Sequence, residues 1–287
     1  MRPWRDAAAA SARLVSERPE LWLPGALAWI ASVGWIPFFV AVVRPPSVAE
    51  LTFLGARIVT SGAWPWNAVA IGAAAIVLVL LAFVLTAAAD AVLIALIEQR
   101  PSSAGDVGRL LTVNLVAALP ALLATVVVLV MLAAVAPREF NAPDPAGGPV
   151  LSTIARIIPY LALLGLATAA GAALAGVGGR LALDRRDGLA HALRLAPRVS
   201  LAAAPATHAI LGFALQLVFL AFGALLLGVL WAPIGAQLAA GREIDVAIGL
   251  LLVGFVAVWL CLVLAGGALH AWSAATWSRL IAIDASS

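Results

Sequence analysis

Arg13-Leu-Val-Ser-Glu-Arg-Pro-Glu-Leu-Trp-Leu-Pro24 decides how this chain is read, because its outline recurs. Arg109-Leu110 is followed by Pro120 and Arg194-Leu195 by Pro205, each proline eleven places after its arginine. A long apolar run surrounds or follows every one of these prolines. A shared register at a period of about 85–96 residues indicates an internal repeat. Each unit is expected to be an arginine-bearing interfacial segment followed by two membrane helices.

Composition fixes the class. Of 287 residues, 64% are hydrophobic and 11% charged, and the mean hydropathy is +1.10. A water-soluble fold of this size has too little interior to hide that much apolar surface. Several runs exceed the ~18 apolar residues that cross a bilayer core as a helix. The expected fold is therefore an all-α membrane protein, a single domain over 1–287 with six transmembrane helices. The spans are expected at 21–43, 67–97, 111–136, 151–179, 201–231 and 246–271. The repeat units are approximately 1–97, 98–179 and 180–287.

The connecting segments carry the polar residues. Residues 1–18 read as an interfacial helix stopped by Pro19. The apolar run after it is too long for a cleaved signal and reads as a signal anchor. Residues 47–66 suggest a short surface helix ending on the aromatic anchor Trp64-Pro65-Trp66. Ser102 or Ser103 could cap a second interfacial helix. The Pro- and Gly-rich stretch 137–150 reads as irregular. The densest charge falls in 180–198, with Asp184, Arg185, Arg186, Asp187, Arg194 and Arg198.

All seventeen basic residues are arginine. With six spans, the arginines at 2, 5, 13, 18, 100, 109, 180, 185, 186, 194, 198 and 279 lie on the side of the termini. Those at 44, 57, 138, 156 and 242 lie on the other. Positive charge is retained inside, so both termini are expected in the cytoplasm of a plasma-membrane protein. Two spans per unit make the three repeats parallel, related by an axis along the membrane normal.

The net charge of +3 is spread over loops and forms no nucleic-acid patch. The arginines suit anionic lipid, and Arg13, Arg109, Arg185, Arg186 and Arg194 are candidate contacts to lipid phosphate or the interface. Ionisable groups within spans are functional candidates, which singles out Asp90, His208, Gln216 and His270. At about 1.5 Å per residue, Asp90 lies ~34 Å along its helix, near the cytoplasmic end, with His270 at a similar level. His208 and Gln216 are eight residues apart and so about 80° apart around theirs. Asp90, His208, His270 and the repeat arginines are hypothesised to converge on one cytoplasm-facing cavity, without which no ion or proton pathway can be argued. If they do not, they serve as structural pairs and interhelical glue.

Motifs for chemistry are absent. His191, His208, His270 and the single Cys261 make no zinc signature, and no phosphate-binding loop or nucleophile elbow occurs. No cofactor and no enzymatic activity are expected. Val177-Gly178-Gly179-Arg180 and Leu264-Ala265-Gly266-Gly267 read as places where helices approach closely.

The pattern of arginine-bearing segment, short break and proline at the start of a membrane run, quoted above for Arg13–Pro24 and its two echoes, resembles a broad group of bacterial six-helix membrane proteins. That group includes the membrane domain attached to some glycerophosphodiester phosphodiesterases. The resemblance implies the fold; the phosphodiesterase domain itself is not in this chain. Mitochondrial carriers also have three two-helix repeats, but their Pro-x-Asp/Glu-x-x-Lys/Arg signature is missing. Two functions remain. One is a non-enzymatic accessory or scaffold module of the inner membrane, binding lipid or a membrane protein partner. The other is a transporter, or transporter subunit, for a small or amphipathic solute.

Overall fold

A computed structural model of the chain describes residues 2–44, 48–140, 148–183, 188–241 and 245–284. Long runs of Ala, Leu, Val and Ile cannot leave backbone N–H and C=O groups unpaired in lipid, so they close into helices. The described elements are helical throughout, with no strand among them. In order they are α1 (Arg2–Glu17), α2 (Trp22–Trp29), α3 (Ile36–Val42), α4 (Val48–Thr60), α5 (Trp66–Ile97), α6 (Ala104–Phe140), α7 (Pro149–Leu183), α8 (Gly188–Ser200), α9 (Ala203–Ala239) and α10 (Val246–Asp284).

The helices α5, α6, α7, α9 and α10 are each long and apolar enough to cross a membrane. The segment from Pro19 through α2 and α3 passes the same test as a pair bent by 49°, giving a sixth span if the pair is one crossing. Apolar side chains face outwards along these helices. On α5 every residue from Val69 to Leu81 is exposed, as lipid contact requires.

Several expected boundaries hold, and the departures have local causes. Helix α5 matches its expected span to within a residue. It ends because Gln99 adopts a left-handed φ of 53°, and the Arg100 N–H donates to the Ala95 carbonyl at 2.9 Å. That closes the last turn just before Pro101. The first span is instead broken: a π-helical stretch at Ile30–Gly34 separates α2 from α3. The expected interfacial helix of the second repeat does not form separately. Arg109 and Pro120 lie on one continuous helix, α6. A membrane helix tolerates the donor lost at proline where neighbouring groups or small backbone adjustments satisfy the freed carbonyl. Residues 137–140, expected to be irregular, extend α6, and α9 likewise runs through Pro233 to Ala239.

The chain divides into two compact units that do not follow the order of the sequence. The first comprises Met1–Ala10, Ala104–Ala214 and Thr276–Ser287. Its backbone is the α6–α7 hairpin. Gly171 makes the close approach possible, since a Cβ there would lie 2.5 Å from the Ala117 carbonyl oxygen. Gly178 and Gly179 let Val113, Ala196 and Leu110 pack against α7, so the Val177–Arg180 site is a close-packing site as its sequence suggests. Ala7 of α1, Val177 of α7, Ala196 of α8, Ala209 of α9 and Trp277 and Leu280 of α10 share one buried cluster. The beginning and the end of the chain therefore meet in this unit.

The second unit comprises Ser11–Ser103 and Leu215–Ala275. Its tightest contact is the crossing of α2 and α10. A Cβ on Gly25 would lie within 2.3 Å of the Gly267 carbonyl oxygen, and one on Gly267 within 2.5 Å of the Trp22 carbonyl oxygen. Trp29, 2% exposed, fits because Gly34 and Gly266 both give its ring room. The π-helical stretch brings Gly34 to that position. Trp29 also meets the edge of Phe219, with ring centroids 5.7 Å apart. Here too the Leu264–Gly267 sequence is a site of close approach.

Candidate functional site

The structure brings together two of the four candidate polar residues. Asp90 of α5 and His270 of α10 meet in the second unit, with Oδ1 2.7 Å from Nε2. Their side chains are 20% and 25% exposed, so the pair is shielded without being sealed. One turn along α5 and α10, Val15, Leu21, Leu93, Ala271 and Ala274 form an apolar cluster. Two polar contacts tie α1 to this level. The Trp22 indole N–H donates to the Val15 carbonyl at 2.9 Å, and the Arg18 guanidinium to the Leu96 carbonyl at 3.1 Å. Both carbonyls lie in the last turns of helices, where no intrahelical donor is available. Gln216 belongs to the same unit, is half-buried, and makes no hydrogen bond to a described residue.

His208 belongs to the other unit. It is buried, at 1% exposure, five residues into α9. The Trp4 indole N–H donates to its Nδ1 at 3.3 Å, and the Trp277 ring meets it edge-on with centroids 4.6 Å apart. Nδ1 is the acceptor in this contact, which leaves any ring N–H to Nε2. The other side of Trp277 rests on Gly176, where a Cβ would strike the indole. One histidine thus joins the first helix to the last two. Two tryptophans and a histidine, each with an apolar body and a polar edge, suit the lipid–water boundary.

The arginines divide by role. Arg109 is half-buried and donates to the Ala182 carbonyl at 3.2 Å, closing the C-terminal end of α7. That contact complements both the orphan carbonyls and the negative end of the helix dipole. Arg13 and Arg194 are exposed, on the polar faces of α1 and α8. Arg185 and Arg186 lie outside the described residues.

One cluster was not singled out from the sequence. Glu139, 8% exposed at the end of α6, accepts from Ser152 Oγ at 2.6 Å and pairs with Arg156 Nε at 2.5 Å, both on α7. It clamps the far end of the α6–α7 hairpin. The available signal was Glu139 beside Arg138 in a Pro- and Gly-rich stretch, with Arg156 seventeen residues on. That pattern is too common to distinguish from a solvated loop.

No family model, curated protein or solved structure matches this chain. Its chemistry has to be judged from the side chains. Among the described residues, no group of three His, Cys, Asp or Glu side chains could hold a metal ion. The polar contacts described above each link one helix to another.

Proposed function

We propose that this chain is a non-enzymatic accessory or scaffold module of a bacterial inner membrane, binding lipid or a membrane protein partner. The observation that carries this reading is where its intramembrane polar groups go. Asp90 and His270 are 2.7 Å apart across α5 and α10, and His208 accepts a hydrogen bond from Trp4 across α9 and α1. Polar groups paired between helices hold a bundle together, whereas a transport path needs groups free to exchange partners.

The meeting of Trp4, His208 and Trp277 supports counting the bent α2–α3 pair as one span. Both ends of the chain then lie on one side, and the arginine bias argues for the cytoplasm. Three parallel two-helix repeats remain the proposed origin of the fold, in line with the resemblance to the phosphodiesterase membrane domain. The first and third copies support it, since in each an amphipathic helix and a short break precede a proline in the next helix. The second copy lacks the break.

The transporter reading is favoured by two observations: Asp90 and His270 keep some exposure, and Gln216 has no partner among the described residues. Two measurements separate the readings. Extraction of the full chain in native nanodiscs should bring a membrane protein at fixed stoichiometry, or a fixed lipid complement. Solute or proton flux in proteoliposomes that is abolished by Asp90→Asn, with the fold intact, would overturn the scaffold reading.

A further inference from the structure

We infer that the outer face of α8 is a docking surface for the phosphate groups of anionic phospholipids. This deepens the reading above and rests on its lipid-binding arm. The helix Gly188–Ser200 turns Ala192, Ala196 and Ser200 inwards, one every fourth residue, where they are buried. Ala192 packs with Val113 and Ala182, and Ala196 with Val177, so α8 lies across the ends of α6 and α7. His191, Arg194 and Arg198 stand at i, i+3 and i+7 on the opposite side, and all three are exposed. These spacings share one helix face. The helix contains no acidic residue, and the preceding Asp184-Arg185-Arg186-Asp187 is net neutral by sequence.

The position of α8 decides which anion this face meets. It lies between the membrane helices α7, ending at Leu183, and α9, beginning at Ala203. Four residues join it to the first and two to the second. Both ends are thus tethered within a few residues of the bilayer boundary, too short a leash to lift the helix clear of the headgroups. Leu201, directly after it, is 82% exposed, an apolar side chain with lipid as its natural neighbour. A cationic stripe beside an exposed leucine at the boundary is how an interfacial helix engages anionic lipid. Arg109, in contrast, is occupied at the Ala182 carbonyl and does not belong to this surface.

The test uses the full chain in a neutral detergent, titrated with phosphatidylglycerol or phosphatidylcholine and read by native mass spectrometry. Wild type is expected to retain phosphatidylglycerol selectively. The Arg194→Gln/Arg198→Gln pair should lower that affinity by roughly fivefold per arginine, ~25-fold together, leaving phosphatidylcholine unchanged. Arg194→Lys/Arg198→Lys should keep most of the affinity, because the charge remains. Both variants should melt like wild type in phosphatidylcholine, as the two side chains are exposed. Equal binding of the two lipids by wild type, or retention of phosphatidylglycerol within threefold by the glutamine pair, would overturn the inference. So would displacement of phosphatidylglycerol by inorganic phosphate alone, which would make this a free-anion site. None of these results bears on whether a protein partner co-purifies, so the scaffold reading is judged separately.

Discussion

Alanine at Gly267 should loosen this protein, while the same substitution one or two dozen residues earlier on the same helix should not. A Cβ at Gly267 would stand 2.5 Å from the Trp22 carbonyl oxygen and 2.6 Å from the Ala26 nitrogen. Both are backbone atoms of α2 or its first residue and cannot rotate aside. Ordinary contact needs roughly 3.5 Å, so α2 and α10 must part by about 1 Å. A gap of that size forfeits about a quarter to a half of each contact worth ~0.1–0.2 kcal/mol. Over some tens of atom pairs at the crossing, this comes to roughly 1–2 kcal/mol, within the ~1–3 kcal/mol usual for overpacking. At Gly249 and Gly254 of α10 a Cβ meets nothing within 4 Å. There, alanine should be neutral or stabilise by up to ~1 kcal/mol through helix propensity. Thermal unfolding of a fluorescent fusion, followed by size-exclusion chromatography in one detergent, compares the three variants directly. If Gly267→Ala melts with Gly249→Ala, the close crossing of α2 and α10 is wrong.

Other perturbations address the polar contacts. Asp90→Leu should destabilise by roughly 0.6–1.7 kcal/mol, the range for interhelical hydrogen bonds in membranes, and Asp90→Asn by less because it can still accept from His270. Equal effects of the two would show that the 2.7 Å contact contributes nothing. In a double-mutant cycle, Trp4→Phe and His208→Phe should couple by about 0.5–1.5 kcal/mol, and strict additivity would argue against their hydrogen bond. Arg156→Ala should cost about 1–3 kcal/mol by leaving Glu139 buried without its cation, and Glu139→Gln in the same chain should recover part of it. Failure of that rescue would remove the ion pair as the clamp of the α6–α7 hairpin. Cys261, exposed about 22 Å into α10, should resist a charged maleimide in intact membranes and react with it once the protein is unfolded in denaturing detergent. Labelling by the charged reagent in intact membranes would place it in water rather than lipid.

The amino-acid order alone determined that this is a helical membrane protein and where most of its spans lie. Hydropathy is a sum over local residues, and a helix in lipid satisfies its own backbone, so α5 could be placed to within a residue of its described ends. The same local logic found the glycines at 178, 179, 266 and 267, because only close packing explains small residues paired in such runs. Tertiary structure alone decided what those residues meet. Asp90 finds His270 180 residues away, and Trp4 finds His208 204 residues away. Spacing along the helices put Asp90 and His270 at a similar depth, but which faces meet is not written in it. The π-helical stretch at Ile30–Gly34 lies where Trp29 is seated between Gly34 and Gly266, the latter supplied by α10. Glu139 is buried only because α7 returns beside α6 to supply Arg156 and Ser152. Local sequence sets which segments enter the membrane; which faces of them touch is settled by the shapes of their neighbours.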